Sequence, residues 1–489
     1  MAFEEIREIR IKKLQESEKK FGTAFPADVS LEMPLKEVVD NFTKFSRRRK
    51  PLVLCGRVMA VRGHGGVLFC DFNDGTSGLQ ACLKKDILGN EEFVHFQNLV
   101  DVGDFVEFEG TLFKTKKKEK SIKVVSWRML SKSLRPLPEK WHGLLDVEER
   151  FRKRYLDLLM NKDARSVFET RSKIITELRN FLNGSAFAEV ETLMLQPLAG
   201  GALAEPFKTH HNALDIDLFL RIAPELYLKR LLVADFPKVY EIGRMFRNEG
   251  IDATHNPEFT MLEFYEAYQN VDKMRDFVER MIKVLVKKVF GKQVVKYEGN
   301  SISFSKKFSV ISFYDVLKRH ALINDAQNVS REDLELKAGQ FGIEVASADS
   351  EDKIRDNIFK KVCRAKIIQP TFVVDYPVEL SPLAKKKKDN PNLVERFQLI
   401  MGGLEMVNGY SELNDPLEQK ARFEKHQDLR QKGDKEAAEY DKDFVDAMEY
   451  GMPPAVGVGM GVDRLVMFLT DAHNIKEVIL FPTMKPKEE

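Results

Sequence analysis

Between Leu52 and Trp127 the apolar residues fall into short runs separated by turn formers: Leu52 to Val58, Val67 to Phe72 ahead of Asn73-Asp74-Gly75, Gly78 to Leu83, Phe105 to Leu112, and Ile122 to Trp127. Such runs, bounded by Asn, Asp and Gly, predict five short strands, with one helix over Glu91 to Leu99 between the third and fourth. That count suits a small closed barrel of the oligonucleotide-binding (OB) type, and other small barrels share it. Upstream, Met1 to Lys20 is charged throughout and reads as an amphipathic helix. Downstream, Leu134 to Gly143 carries Pro136 and Pro138 and ends in glycine, which predicts a linker.

From Asp146 the periodicity changes. Ile174, Leu178, Phe181 and Leu182 recur at helical spacing and lead into an extended run from Ala188 to Leu195. Further strands are predicted at Leu218 to Ile222, Val239 to Ile242, Phe259 to Ala267, Phe372 to Val374, Phe397 to Met401 and Ala455 to Gly459. Between them Met274 to Phe290, Phe313 to His320, Arg331 to Phe341 and Asp352 to Lys366 read as helices, with Ser330 and Asp333 spaced as a capping box. The chain is therefore expected to be α+β. Residues 1–50 form a helical extension, 51–132 the barrel, 133–145 the linker, and 146–489 a domain on an antiparallel sheet with flanking helices and a helical insertion at about 271–370.

Composition narrows the class without choosing an activity. The 489 residues, 43% hydrophobic and 31% charged, suffice for two or three domains with a large core. A net charge of +2 leaves any nucleic-acid surface to local patches such as Arg47-Arg48-Arg49-Lys50 and Lys114-Thr115-Lys116-Lys117-Lys118, each of which also reads as a solvated face. No apolar signal-peptide core and no membrane-length run occurs, so a soluble, cytoplasmic protein without membrane contact is expected. Cys55, Cys70, Cys82 and Cys363 lack close pairing and are expected to be buried free thiols.

Candidate chemistry concentrates in Gly243-Arg244-Met245-Phe246-Arg247-Asn248-Glu249 and in His255 to Phe264, which place an arginine, a glutamate, a histidine and a second acidic strand close together. Such a set can hold a triphosphate beside a charged amino acid. Two other nucleotide signatures fail. Gly457-Val458-Gly459-Met460-Gly461 has valine at 462 where a dinucleotide fingerprint needs glycine, and Gly291-Lys292 has Val286 where a phosphate-binding loop needs its first glycine.

Arg247-Asn248-Glu249 with His255 and Phe259, Asn408-Gly409-Tyr410-Ser411-Glu412-Leu413-Asn414-Asp415, and Gly459 to Arg464 resemble the catalytic elements of class II lysyl-tRNA synthetases of the bacterial, class IIb type. Arg221 to Arg230 and Thr209 to Leu214 add to the resemblance, which runs from roughly Leu52 to Pro486. Met129-Leu130-Ser131-Lys132-Ser133 is similar to a class I synthetase signature but has no His-x-Gly-His partner.

The resemblance implies an OB-type anticodon-binding barrel and a class II catalytic domain. Its activity would be activation of L-lysine with ATP, then transfer to tRNA(Lys), by a homodimer. It implies that Arg247 bridges the amino-acid carboxylate and the α-phosphate, that Glu249 reads adenine, that Phe259 stacks on it, and that His255 and Arg464 hold the distal phosphates. Gly201 and Glu225 would take the α-ammonium, Glu263, Tyr265 and Glu412 the ε-ammonium, and Asn408 would lie near the carboxylate. Several acids around one ammonium are what burial of that charge requires. Mg2+ is implied at Glu405 and Glu412, with Gln398 standing where the family has a glutamate. In the barrel, Arg62 and Phe69 would sandwich an anticodon base, Gln80 would read its edge, and Glu119 would contact a neighbour. At the implied dimer interface Ala186 and Leu193 replace the family's glycine and proline. Two other readings share much of this pattern: a non-catalytic tRNA-binding paralogue, and an enzyme that lysylates protein.

Overall fold

The computed structural model describes residues 3–47, 50–138, 146–202, 204–347, 349–431 and 440–487. Two compact units emerge, Met1–Leu144 and Leu145–Glu489. Most of the expected linker, with Arg48 and Arg49 of the first basic patch, lies outside the described residues.

In the first unit, strands Leu52–His64, Val67–Asn73, Gly78–Lys84, Phe105–Lys114 and Lys120–Ser131 close into a barrel, and helix Asn90–Leu99 falls where the sequence places it. Alternation sends Leu68, Cys70 and Phe72 inward, against Leu54, Phe108 and Met129, and leaves Phe69 half-buried on the outer face. Helix Phe3–Phe21 is tied down by Arg10, which donates to the carbonyls of Val102, Ser133 and Arg135. Lys132, from the stretch similar to a class I signature, is buried between Asp101 (2.5 Å) and Asp104 (2.7 Å). Its role is structural.

The second unit is built on an eight-stranded sheet in the order Ser309–Ser312, Thr371–Pro377, Leu393–Met401, Leu404–Ser411, Ala455–Gly461, Glu258–Ala267, Lys238–Phe246, Ala188–Glu189. Its inner pairings are antiparallel and its two outermost are parallel. Helices Lys162–Gly184, Val271–Phe290 and Val462–Leu469 contribute to the core on one face, which includes Leu262, Phe264, Val458 and Met460. The run Ala188 to Leu195 is not one strand. It pairs only at Ala188–Glu189 and again at Leu195–Gln196, because Thr192 turns away to bond Glu241. Helix Val271–Phe290 belongs to the central core, whereas Phe313–Ala321, Arg331–Gln340 and Glu351–Ile358 gather around a separate one. The helix predicted over Asp352 to Lys366 widens to a π-turn at Phe359–Cys363 and tightens to a 3-10 turn at Arg364–Lys366. All four cysteines are free and buried.

Candidate active site

The sheet face opposite the core is the floor of a cavity of about 360 Å³. Strand alternation explains the division: Leu262 and Phe264 enter the core, while Met261, Glu263 and Tyr265 line the cavity. On the next strand Val458 and Met460 pack inward and Gly457, Gly459 and Gly461 fall on the cavity side, so that face is bare. At Gly457 the bareness is obligatory, since a β-carbon would collide with the Glu412 carboxylate and the Tyr265 ring.

Gly201, Glu225, Arg247, Glu249, His255, Phe259, Glu263, Tyr265, Glu405, Asn408 and Arg464 all line this one cavity, from strands and loops far apart in sequence. At its acidic end Glu225 starts helix Glu225–Val233, and Glu263 and Glu412 come from the sheet and its edge, all three buried. Gly201 approaches Glu225 closely in a left-handed conformation, φ +87°, that suits glycine. Tyr265 donates to Glu263 (3.1 Å) and Tyr410 to Glu225 (2.7 Å). Burial, with Glu225 nearby, pushes the Glu263 carboxyl up to about 8. Burial also raises Glu412 to about 8, against the pull of Lys229.

Lys229 was not singled out from the sequence. Its side chain is fully buried, with the ammonium 2.5 Å from Glu225 and 2.5 Å from Glu412. Burial disfavours that charge, but the two carboxylates outweigh it and hold the pKa above the ordinary lysine value. Arg396 was missed as well: it lines the cavity, donates to Asn408 Oδ1 (2.8 Å) and anchors on Ser381 (2.8 Å). The available signals were spacings, Lys229 four residues after Glu225 on a helix and Arg396 two before Gln398 on a strand.

At the basic end, Arg247 extends from strand Lys238–Phe246, its amide bonded to the Pro257 carbonyl (2.8 Å). Its guanidinium lies over the Phe259 ring at 5.1 Å, and its buried Nε has no partner among the described residues. Arg464 meets His255 across the cavity (2.8 Å), and His255 is braced by Asp252 (2.9 Å). Asp463 clamps the helix bearing Arg464, accepting from Arg171 (2.5 Å) and from the Thr260 amide (2.6 Å). Burial lowers the pKa of both Arg247 and Arg464, so these cations sit where an anion would relieve them.

The residues expected around a metal separate. Glu405 lines the cavity, whereas Glu412 is committed to Lys229. Gln398 accepts from the Tyr376 hydroxyl (2.7 Å) and donates to Glu405 (3.0 Å), so both ends of its amide are engaged and it supports Glu405. Among the described residues no group of three or more His, Cys, Asp or Glu is arranged to hold an ion. One carboxylate beside a phosphate-binding end does fit magnesium delivered on substrate phosphates, which needs only one or two protein carboxylates. Gln398→Glu adds a second charge there, and the magnesium concentration at half-maximal activity is expected to fall by roughly three- to tenfold. Identical magnesium titrations of the two proteins would refute this.

On the barrel, Arg62 and Phe69 are register partners on neighbouring strands, as are Asp71 and Gln80. Arg62 bonds Asp71 (2.5 Å), Gln80 accepts from Ser121 (3.0 Å), and Glu119 is exposed and acts electrostatically on Arg62. One outer face thus carries an aromatic ring, a guanidinium, an amide and a carboxylate.

An antiparallel sheet with a glycine-bearing strand under the cavity, an arginine just past a sheet strand and a second arginine at a helix start are features of a class II tRNA synthetase, and the chain belongs to that family. Residues 146–485 match the family of tRNA synthetases class II (D, K and N), and residues 52–130 match the OB-fold nucleic acid binding domain. Among similar proteins are the lysine–tRNA ligases of Pelotomaculum thermopropionicum, 47% identical over 99% of this chain and 96% of its own length, and Moorella thermoacetica, 48% over 90% and 89%. That of Carboxydothermus hydrogenoformans is 45% identical over 99% of both chains.

Proposed function

We infer that this enzyme is a lysine–tRNA ligase, which activates L-lysine with ATP and passes the lysyl group to tRNA(Lys). The observation that carries the reading is a single cavity lined by buried Glu225 and Glu263 at one end, with buried Glu412 next to them, and by Arg247, His255 and Arg464 at the other, in a chain whose relatives bear that name. A lysine carboxylate oxygen bonds to the α-phosphorus of ATP as the bond to the bridging oxygen breaks and pyrophosphate leaves. The 3′-terminal hydroxyl of the tRNA then takes the lysyl group and AMP departs. The first step needs no protein nucleophile, because the carboxylate is already ionised, so positioning and charge neutralisation dominate.

In this reading Arg247 spans the two reacting anions with its guanidinium fork, Arg464 and His255 hold the distal phosphates, and Glu249 and Phe259 take the adenine. Glu225 and the Gly201 carbonyl bind the α-ammonium, Glu263, Tyr265 and Glu412 receive the ε-ammonium, and Asn408 is oriented toward the carboxylate by Arg396. Magnesium on the ATP phosphates, held on the protein side by Glu405, supplies further charge neutralisation. Lysine-dependent ATP–pyrophosphate exchange followed by tRNA charging tests the whole. Exchange that runs best with aspartate or asparagine would overturn the substrate, exchange without charging would favour a protein-lysylating enzyme, and neither activity a tRNA-binding paralogue.

The barrel's outer face reads the anticodon by stacking on Phe69. Phe69→Ala is expected to lower the efficiency of tRNA lysylation by roughly ten- to a hundredfold while sparing exchange without tRNA, since a stacked base contributes about 1–3 kcal/mol. Equal losses in both assays would assign Phe69 to folding. The working form is a cytoplasmic homodimer, supported by exposed Leu193, Met194, Leu195 and Leu198 in one short segment. Ala186 before it holds φ +63°, a left-handed conformation that disfavours any side chain. A single-chain mass by light scattering would exclude the dimer. Among the described residues, no helix is long and apolar enough to cross a membrane.

A further inference from the structure

Three buried carboxyls interact at the acidic end, Glu225 and Glu263 lining the cavity and Glu412 next to them, while a lysine substrate brings only two ammonium groups. A third buried carboxylate with no cation would be strongly disfavoured. The structure supplies the missing cation: Lys229 is fully buried and lies 2.5 Å from both Glu225 and Glu412. Two aromatic rings lie near it, the Tyr410 ring centre at 5.6 Å and that of Phe444 at 6.0 Å. Lys229 does not line the cavity, so its ammonium acts from behind Glu225 and not by touching the ligand. Arg247 serves the opposite end, where the substrate carboxylate and the phosphates are placed.

We propose that Lys229 sets the charge of the amino-acid subsite: once lysine is bound and the three carboxyls are ionised, its ammonium cancels one of them, leaving two negative charges for the two ammonium groups of a diamino monocarboxylic acid. This rests on the lysine reading above and deepens it. Lys229 is a positioning and specificity-determining residue, not a catalytic one. It also orients Glu225 and Glu412, which would otherwise repel each other across the subsite.

Charge counting makes a prediction that simple packing does not. Lys229→Met leaves three carboxylates for two ammonium groups, and the KM for lysine is expected to rise at least about tenfold while the KM for ATP stays within about twofold. Glu412→Gln alone leaves a single uncompensated charge and also weakens lysine. Combining the two restores two charges. Lys229→Met, harmful in the natural protein, is therefore expected to lower the KM for lysine when introduced into Glu412→Gln.

The experiment is lysine-dependent pyrophosphate exchange on the full-length protein, the two single variants and the double variant, with circular dichroism to confirm folding. Reversal of the sign of the Lys229→Met effect supports the proposal. An equal increase in KM in both backgrounds, or parallel rises for lysine and ATP, overturns it in favour of a packing role. Should Lys229→Met fail to fold, the double variant, which has one buried carboxylate fewer, is compared with Glu412→Gln alone, and a KM that is equal or higher overturns the proposal. The natural protein is the control for the underlying reading: its failure to exchange with lysine would reject the substrate itself, whereas exchange without the sign reversal rejects only the role of Lys229.

Discussion

Replacing Arg247 with alanine is expected to cut kcat/KM for lysine-dependent ATP–pyrophosphate exchange by on the order of a thousandfold, comparable to or beyond the loss of a single preorganised oxyanion donor. The side chain is already held where it must act. Its backbone is fixed by the bond to Pro257, its guanidinium lies over Phe259, and its Nε is buried without a partner. A desolvated donor with no protein partner can bond a bound anion without giving up an existing bond, so little reorganisation accompanies ATP binding. Arg247→Lys keeps the charge but not the planar fork, and is expected to recover only a small part of the activity. Retention of a tenth of the natural rate by Arg247→Ala would remove Arg247 from the reaction centre.

Lysine should bind more tightly as the pH rises toward 8. Burial holds the Glu263 carboxyl at about 8, so at neutral pH it is largely protonated, and an incoming ammonium must displace that proton. One displaced proton gives an affinity gain of about fivefold from pH 7 to pH 8 and nearly tenfold from pH 6 to pH 7, after which the curve flattens. Calorimetric titration in buffers of different ionisation enthalpy measures both the affinity and the proton released. Glu263→Gln should reduce the slope, leaving the part contributed by Glu412, whose carboxyl is also raised to about 8; a slope that persists unchanged would place the proton elsewhere. The same shift acts on stability in the opposite sense. A carboxyl whose folded pKa is raised contributes stability that is complete below its ordinary value of 4.5 and is lost as the pH climbs to about 8. The ligand-free protein is expected to melt earlier at pH 8 than at pH 6 from this group, and saturating lysine should offset the difference.

The barrel was legible because its short apolar runs fall between clear turn formers, whereas the outward position of Phe69 shows only in the burial alternation of strand Val67–Asn73. Arg247, Glu249 and His255 stood out by their closeness in sequence, whereas Glu225, Glu412 and Arg464 were legible only through resemblance to a family, since elements distant in sequence bring them together. Strand Leu404–Ser411 was not read as a strand, although it carries Glu405, Asn408 and Tyr410. Gly402 and Gly403, both at positive φ, form the hairpin turn that pairs it with Leu393–Met401. Lys229 was hidden for a different reason. A glutamate followed four residues later by a lysine is the commonest kind of solvent-exposed helical pair, and nothing local reports that Phe444 and Tyr410 close over this one. Gln398 was read as a weakened ligand because its neighbour Tyr376 lies 22 residues away in sequence and cannot be placed beside it without the fold.

The bare strand face at Gly457, Gly459 and Gly461 has a consequence for inhibitors. Glycine has no side-chain torsion to freeze, so a ligand settling there avoids the cost of about 0.5–1.5 kcal/mol that accompanies each immobilised rotamer-rich side chain. Tyr265 and Glu412 already cover the strand at Gly457, Met261 lies beside Gly459 and Arg464 beside Gly461. A compound that seats on Gly459 and Gly461 meets no side chain on those two residues to order, and its selectivity among related enzymes has to come from how far it reaches toward the side chains that border them.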